Sequence, residues 1–294
     1  MQLGLTGATG FVGRHVIRLA VRRGYEVVAF TRDPSRTVGD CIETRAFTTA
    51  EPPDLRGCQA VIHLAGENIA GLWTREKMKR IRESRIAGTR KIVEAMRAAS
   101  EPPGVLVCAS AIGFYGDSGD AELTEQSPAG SGFLADTCRA WETEAIAAEA
   151  ICRAVRMRIG VVLGKRGGAL RMMLPAFRLG LGARLGHGRQ WFSWIHAEDL
   201  AALLIFAIEN LDIRGAMNAT APWPVRNADF TRALSRALHR PAFLAIPALA
   251  LRLLLRDFSH ELLDSKRVLP AVATEHRFGF QFAELEPALR DIVT

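Results

Sequence analysis

Three glycines near the start of the chain are spaced like those of a phosphate-binding loop. Gly7, Gly10 and Gly13 form a GxxGxxG pattern between an apolar run at 2–6 and a segment of helical periodicity at 12–23. Dinucleotide sites need glycine there for a tight turn, close approach of the backbone to a pyrophosphate, and close helix–strand packing. Free N–H groups at the helix N-terminus also attract phosphate, so this context favours a dinucleotide site over a glycine-rich turn without a ligand. The predicted binding residues are Gly7, Thr9, Gly10, Phe11, Val12 and Gly13.

The end of the second apolar run, at 26–31, indicates which dinucleotide binds. An NAD site places an acidic residue there, which hydrogen-bonds the ribose 2′-hydroxyl. Here the run ends in Thr31 and Arg32, and a guanidinium suits the 2′-phosphate of NADP(H). Asp33 follows at once and weakens this argument, since Arg32 is then also explained as a surface residue beside a turn. We expect NADP(H), bound in part by Thr31 and Arg32.

The composition is that of an ordinary globular protein. The chain has 294 residues, of which 49% are hydrophobic and 23% charged, enough for one large α/β domain with a satellite. The net charge of +7 comes from scattered arginines rather than from basic patches interleaved with aromatic residues, which argues against a nucleic-acid partner. The five cysteines are dispersed and lack metal-site spacing, so we expect reduced thiols and no metal.

Two further features concern membranes and location. The longest apolar stretch, around 244–255, contains Pro247 and Arg252 and is too short to span a bilayer. We therefore expect a buried helix there and no membrane partner. The first strand begins at Gln2, which leaves no room for a signal peptide and favours the cytoplasm.

Apolar runs alternate with segments of helical periodicity through the first half of the chain. The predicted strands are at 2–6, 26–31, 60–64, 105–109 and 153–163, and the predicted helices at 12–23, 75–99, 133–150 and 199–210. Strands separated by helices predict βαβ units and a parallel sheet. The glycine-rich stretch at 164–188 also carries apolar residues, so we do not interpret it as a simple linker.

Several blocks along the chain carry a family resemblance. They are 61–70, 84–85 with Thr89, 109–116, 141–142, 160–164 with 167–168, 188–190, 193–196 with Asp199, Asn218, 221–222 and 240–241. Together they resemble the extended short-chain dehydrogenase/reductases, and within these an atypical epimerase family related to NAD-dependent epimerases and dehydratases. The resemblance implies an α/β fold, a Rossmann-type doubly wound parallel sheet with a smaller discontinuous C-terminal lobe. The dinucleotide domain would comprise 1–165 with 192–221, and the lobe 166–191 with 222–294.

The resemblance also suggests further cofactor-binding residues. Leu64, Ala65 and Gly66 would line the adenosine and the nicotinamide ribose, although Leu64 and Ala65 also suit the core of a strand. Arg85 lies on the helix that follows. It can reach a phosphate or sugar of the cofactor, or lie on a solvated helix face.

The catalytic residues of the wider superfamily are not found at their expected positions. Those enzymes use a serine with a tyrosine and a lysine four residues apart on one helix, where the tyrosine moves the proton. Alignment on Glu142 places Leu134 at the tyrosine and Cys138 at the lysine. The serine position falls on Ala111, beside Ser110. We therefore expect no Tyr-Lys relay.

The remaining catalytic candidates are Ser110 and Tyr115, and Tyr115 is also explained as a structural residue of a turn. Gln190 is a further polar candidate, whereas Cys138 and His196 are interpreted as structural. Trp191 and Trp194 either line a ligand pocket or fill the core. Two functions stay open: an NADP(H)-dependent oxidoreductase or epimerase-like enzyme acting on a small molecule, and a non-catalytic dinucleotide-binding sensor. The substrate and the oligomeric state cannot be inferred.

Overall fold

The computed structural model describes residues 1–35, 38–165 and 167–294. Its strands are β1 (Gln2–Thr6), β2 (Glu26–Thr31), β3 (Glu43–Ala46), β4 (Ala60–His63), β5 (Val105–Ala111), β6 (Glu122–Leu123), β7 (Arg153–Ile159), β8 (Val161–Gly164), β9 (Gly167–Gly168), β10 (Ala183–Leu185), β11 (Trp191–Phe192), β12 (Trp194–His196), β13 (Gly215–Ala219), β14 (Val225–Arg226), β15 (Leu244–Ile246) and β16 (Arg267–Val268). Its α-helices are α1 (Phe11–Arg22), α2 (Arg75–Ala98), α3 (Phe133–Ile146), α4 (Leu170–Arg178), α5 (Ala197–Glu209), α6 (Asn227–Leu238), α7 (Ala248–Leu255), α8 (Ser259–Leu263), α9 (Ala271–Glu275) and α10 (Leu285–Val293).

In this described part of the chain, seven parallel strands form the central sheet, in the order β3-β2-β1-β4-β5-β7-β13. The direction in which strands are added reverses between β1 and β4. Such a switch point leaves a crevice at the carboxyl ends of the strands, where doubly wound folds bind their ligands. The predicted fold class, a Rossmann-type doubly wound sheet, is confirmed.

Both faces of this sheet are covered by helices. In β2, Val27 and Ala29 belong to the core packed against α1 and α5, whereas Val28 and Phe30 belong to the core packed against α2 and α3. Strands buried on both faces read as continuous apolar runs, which is why the sequence displayed them clearly. The exception is β3, with the sequence ETRA, which has no apolar run and was not predicted.

The C-terminal part adds small sheets and a core of its own, which includes Trp194, Phe230 and Leu289. Parallel pairing of β16 with β6 brings this part back to the loop after β5. The smaller lobe of the fold is thereby present. The exact division of the chain into two units stays a prediction, and its boundary at residue 166 lies outside the described residues.

The predicted strand at 153–163 is divided into two strands, β7 and β8, because the chain changes sheets at Gly160. The Gly160 N–H donates to the carbonyl of Ala219 in β13, whereas the next N–H, of Val161, donates to that of Ser193. A Cβ at Gly160 would lie 2.8 Å from the Ser193 carbonyl oxygen. Glycine therefore permits the switch from β7 in the central sheet to β8 in the sheet β12-β8-β9. The predicted helix at 133–150 ends earlier, with a 3₁₀ turn following α3.

The expected buried helix around 244–255 is wrong. The stretch divides at Pro247 into β15 and α7, and the whole of β15 is exposed. Proline lacks the N–H that would continue a helix through it, so α7 begins only after Pro247 and is eight residues long. It buries Leu251 and leaves most of its other leucines in solvent. No helix within the described residues is long and apolar enough to cross a membrane.

Candidate dinucleotide site

The glycine loop joins β1 to α1 and has the geometry that a phosphate needs. Gly7 has a φ of 70°, and the Gly10 N–H donates to its carbonyl at 2.9 Å, which closes the turn. A Cβ at Gly13 would lie 2.3 Å from the same Gly7 oxygen, so only glycine lets α1 pack this closely on the loop. The first turn of α1 carries no acidic residue, and Gly10 caps it without a side chain. The N–H groups of this turn are thus available to an anion.

The other predicted loop residues support this turn. The Thr9 carbonyl accepts a hydrogen bond from Arg14 Nε at 3.2 Å, and Val12 packs against the core. The Phe11 ring lies under the glycines of the β8–β9 hairpin, since a Cβ at Gly167 would be 2.0 Å from its Cδ2. The β8–β9 hairpin therefore packs on the loop through glycines, which leave room for the Phe11 ring.

A buried hydroxyl fixes the carboxyl ends of β1 and β4 to each other. Thr6 Oγ1 accepts hydrogen bonds from the backbone N–H groups of Leu64 (3.0 Å) and Ala65 (3.1 Å). Its own proton is then donated to His63 Nδ1, at 2.7 Å. Burial lowers the pKa of His63 to about 4, so this histidine is neutral at pH 7. Leu64 and Ala65, each half-buried, are thereby held beside the glycine loop.

The end of β2 places a cation at the same edge of the sheet. Arg32 is exposed, and Thr31 Oγ1 donates to the Asp33 carbonyl at 2.8 Å. The Asp33 carboxylate accepts from the backbone and hydroxyl of Ser35, so it belongs to the following turn. Hydrogen bonding to Lys77 lowers the pKa of Glu67, and the nearby positive charge of Arg32 adds to this effect. Arg32 therefore acts electrostatically on Glu67, which belongs to the loop after β4.

Arg85 holds that loop rather than lying on a solvated helix face. Its Nη1 donates to the carbonyls of Glu67 and Ile81, each at 3.0 Å, and its guanidinium lies 5.2 Å from the centre of the Trp141 ring. Burial lowers the pKa of Arg85. A Cβ at Gly66 would be 3.4 Å from Arg85 Cζ, so the loop passes directly over this side chain.

The two catalytic candidates meet at a buried ion pair at the carboxyl ends of β5 and β7. Ser110 Oγ donates to Glu142 Oε1 at 2.7 Å. Arg158 binds the same carboxylate through Nε (2.8 Å) and Nη2 (2.9 Å), and all three side chains are buried. A buried charge pair needs this fork-like geometry to offset the loss of hydration.

Tyr115 extends this network towards the edge of the sheet. Its hydroxyl accepts from Arg158 Nη1 at 3.0 Å and donates to Asn218 Oδ1 at 2.7 Å. Burial raises the pKa of Tyr115 above its ordinary value, against the opposing effect of Arg158. Both hydroxyl candidates are thus brought together through Arg158, and both already donate to a protein acceptor.

The helix positions that align with the superfamily's tyrosine and lysine carry no acid–base group. Leu134 packs on Gly113, where a Cβ would lie 3.1 Å from Leu134 Cβ. Cys138 is buried beside Arg85, and burial raises the pKa of its thiol to about 12. A thiol of this kind stays protonated at pH 7 and behaves as a small apolar group.

A cavity of about 420 Å³ opens beyond the loop that follows β5. It is lined by Asp117, Gly119, Asp120, His187, Arg189, Gln190, Arg226, Leu263 and Ser265. Trp191 stands beside it, with its Nε1 donating to Asp120 Oδ1 at 3.1 Å and the Arg226 guanidinium 3.9 Å over its ring. Trp194, in contrast, is fully buried in the core. The cavity lies at the boundary between the sheet and the C-terminal part.

The interpretation of His196 as structural agrees with its contact, and Gln190, a polar candidate, is held by the backbone in the same way. Gln190 Nε2 donates to two backbone carbonyls, and His196 Nδ1 accepts from the Glu198 N–H at the start of α5. Sequence reasoning missed Arg158 altogether. The signal for Arg158 was a charged residue inside a buried strand, because such a residue requires a partner.

Comparison with known proteins relates the whole chain to one family. The family model described as NAD dependent epimerase/dehydratase family matches residues 4–219, and a domain of unknown function, DUF1731, matches residues 246–292. The epimerase family protein SDR39U1 homolog, chloroplastic, of Arabidopsis thaliana is 39% identical over 301 residues, covering 100% of this chain and 87% of the relative. The epimerase family protein YfhF of Bacillus subtilis is 36% identical over 298 residues, covering 100% and 98%.

A solved structure also matches over nearly its full length. The crystal structure of the human epimerase family protein SDR39U1 (isoform 2) with NADPH has a TM-score of 0.92 and 34% identity, covering 99% of each chain.

Proposed function

The chain belongs to the NAD dependent epimerase/dehydratase family, and on this basis we propose that it is an NADP(H)-binding oxidoreductase or epimerase-like enzyme that acts on a small molecule. The observation that carries the proposal is the glycine loop, whose three glycines leave the N-terminus of α1 open to a pyrophosphate. The human relative, which this chain resembles over its full length, was crystallised with NADPH.

We assign the cofactor to the residues around this loop. The backbone of Gly7, Thr9, Gly10, Phe11, Val12 and Gly13 would hold the pyrophosphate, Thr31 and Arg32 the 2′-phosphate, and Leu64, Ala65 and Gly66 the adenosine and nicotinamide ribose. Arg85 would act by fixing the loop at 65–67, since its Nη1 is engaged with the Glu67 carbonyl. When bound, the nicotinamide would supply or accept a hydride.

The proton would have to move without a Tyr-Lys relay. Support for this comes from Leu134, which is apolar, and from Cys138, whose raised pKa keeps it a neutral thiol. Ser110 and Tyr115 stay the candidates for catalysis, and the Glu142–Arg158 pair would hold both in place. The cavity beside Trp191 is the candidate for the substrate, because it adjoins the loop after β5.

The test is hydride transfer. We expect the native protein to turn over common ketones and sugar nucleotides about 10²–10⁴-fold more slowly than enzymes with a complete relay, because positioned acid–base groups contribute that factor. Deuterium transferred from C4-labelled NADPH to a product would support an enzyme. A fast rate abolished by Ser110→Ala or Tyr115→Phe would show that these hydroxyls replace the relay efficiently, contrary to this expectation.

A second candidate, a dinucleotide-binding sensor, is favoured by one observation. Both aligned relay positions carry neutral groups, since Leu134 is apolar and half-buried and Cys138 is a buried thiol. Tight NADPH binding together with no deuterium transfer to any carbonyl compound tested would favour the sensor.

We further propose that nucleic acid is not a partner and that the protein functions in the cytoplasm, although one relative is chloroplastic.

A further inference from the structure

The stretch that was expected to be buried forms part of an exposed apolar surface. Six large apolar side chains in and near it are between 56% and 80% exposed. They are Leu179, Leu181, Phe243, Leu249, Leu253 and Leu254. Isolated exposed leucines are ordinary, but a group of this size on neighbouring elements marks an interaction surface.

The backbone brings these side chains to one side of the molecule. Parallel pairing of β10 with β15 joins the chain after α4 to the chain before α7. The contact continues at the glycines, since a Cβ at Gly180 would lie 3.4 Å from Pro241 Cγ and one at Gly182 would lie 2.9 Å from Ala242 Cβ. Leu179 and Leu181 therefore lie beside the strand that leads from Phe243 into α7.

The two stretches of chain that contain these side chains carry positive charge and no negative charge. Residues 150–197 and 230–256 contain no Asp or Glu. Four exposed arginines flank the apolar side chains directly in sequence or across the strand pair: Arg178, Arg240, Arg252 and Arg256. We name these arginines and the six apolar residues the apolar–basic face.

Charge and shape indicate what covers this face. A second copy of the chain would bring the arginines of both copies into one interface, because a twofold interface joins the same patch of each copy, and the two stretches supply no carboxylate to pair with them. Side chains with most of their surface exposed project outward. Such side chains can insert into the fluid interface of a lipid bilayer, whereas a protein partner would need a groove shaped to receive them. Apolar residues that project from a basic surface are the features by which proteins lie on anionic bilayers.

We propose that the apolar–basic face docks on the surface of a lipid bilayer rich in anionic headgroups. Leu249, Leu253, Leu254 and Phe243 enter the interfacial layer, and the arginines contact the headgroups. Nothing crosses the bilayer: α7 has eight residues and is about 12 Å long. The sequence-based exclusion of a membrane partner relied on the missing spanning segment, whereas this mode of attachment needs none.

The experiment is co-sedimentation of the full chain with lipid vesicles. The native protein is expected to sediment with phosphatidylcholine vesicles that contain phosphatidylserine, and much less with phosphatidylcholine alone. Leu253→Ser/Leu254→Ser is expected to weaken this binding at least about tenfold, since two buried leucyl groups are lost. Arg252→Ser is expected to weaken binding to the anionic vesicles, and added salt to do the same.

Leu211→Ser is the control, because Leu211 is 75% exposed and lies in the connection between α5 and β13 of the central sheet, which contributes no residue to the face. It is expected to bind vesicles like the native protein. Unchanged thermal unfolding and NADPH titration would show that each variant is folded. The proposal is overturned if the native chain does not sediment with anionic vesicles. It is also overturned if Leu253→Ser/Leu254→Ser binds these vesicles as well as Leu211→Ser does. It is equally overturned if the double variant instead converts a native dimer into a monomer, which would identify the face as a self-interface.

Discussion

At the residue scale, the charge at the end of β2 determines which dinucleotide is preferred. Arg32 can pair with a 2′-phosphate through two N–H groups, and a hydrogen bond to a charged group contributes about 1.5–3 kcal/mol. Since ~1.4 kcal/mol is tenfold in affinity, we expect NADPH to bind roughly tenfold to a hundredfold more tightly than NADH. Arg32→Glu should abolish or reverse that preference. Competition titrations of both cofactors measure it.

The charge-matched control for this prediction is Arg22→Glu, at the far end of α1 from the glycine loop. It should leave the preference unchanged. Equal affinities for both cofactors in the native protein would show that Arg32 is only a surface residue. The Asp33 carboxylate accepts hydrogen bonds from Ser35 within the turn. This argues against its binding the ribose 2′-hydroxyl of NADH in place of the role assigned to Arg32.

The buried pair of Glu142 and Arg158 gives a second prediction at this scale. Arg158→Met removes the guanidinium that forms two hydrogen bonds to the buried Glu142 carboxylate and leaves the longer contact with Arg156 Nε, at 3.6 Å, as the remaining ion pair. The free energy of unfolding should therefore fall by about 3–5 kcal/mol. Arg158→Met/Glu142→Leu removes both charges and should recover most of that loss. Urea unfolding of the three proteins provides the measurement. A double variant as unstable as Arg158→Met would contradict this account.

These side chains also show how far the sequence could identify the site. The pattern of Gly7, Gly10 and Gly13 is local, so the loop could be predicted from the sequence alone. The network around Ser110 depends on Glu142, 32 residues further along, and on Arg158, 16 beyond that. Its members come from three elements, and only the folded sheet brings them within hydrogen-bonding distance.

At the element scale, a side chain at Gly10, between β1 and α1, should block the dinucleotide site. A Cβ there would lie 3.0 Å from the Gly7 carbonyl oxygen, and a branched side chain would stand where the pyrophosphate approaches the backbone. We expect Gly10→Val to lose dinucleotide binding while the fold is kept. Gly279→Val is the control, because nothing lies within 4 Å of its Cβ position. Calorimetric titration with NADPH that shows unchanged affinity for Gly10→Val would refute this site.

Periodicity predicted the elements of the parallel sheet because their strands are buried on both faces. Periodicity failed where an apolar run in the sequence does not correspond to one buried element of the structure. The apolar run at 153–163 hides a change of sheet at Gly160, which depends on contacts with Ser193 and Ala219. The run around 244–255 is apolar yet exposed, and no rule of periodicity distinguishes an apolar core helix from an apolar surface.

At the scale of the whole molecule, buried polar groups fix the C-terminal part to the central sheet. Ser193 Oγ donates to the carbonyl of Lys266 and accepts from the N–H of Val268. Asn218 Nδ2 donates to the carbonyl of Leu269 at 2.9 Å, next to its contact with Tyr115. The segment that closes the carboxyl edge of the sheet is thus held by the same network that contains both catalytic candidates.

Two buried histidines make the stability of the whole fold dependent on pH. Burial lowers the pKa of His63 and of His196 to about 4 in the folded protein, whereas an unfolded chain has a histidine pKa near 6.5. Below about pH 6.5 the unfolded state therefore binds protons that the folded state does not accept until about pH 4. The stability present above this window is lost as the pH falls through it, by about 1.4 kcal/mol per unit for each histidine.

His196→Asn isolates one of these contributions. His196 caps α5 by accepting a hydrogen bond from the Glu198 N–H, and asparagine is also a good helix cap, but it does not titrate. We expect the native protein to lose more stability than the variant between pH 7 and pH 4.5, with a difference of up to roughly 2–3 kcal/mol. Urea unfolding at both pH values measures it, and the acidic side chains cancel because both proteins share them. Parallel losses in the two proteins would mean that the folded state accepts a proton on His196 as readily as the unfolded chain does.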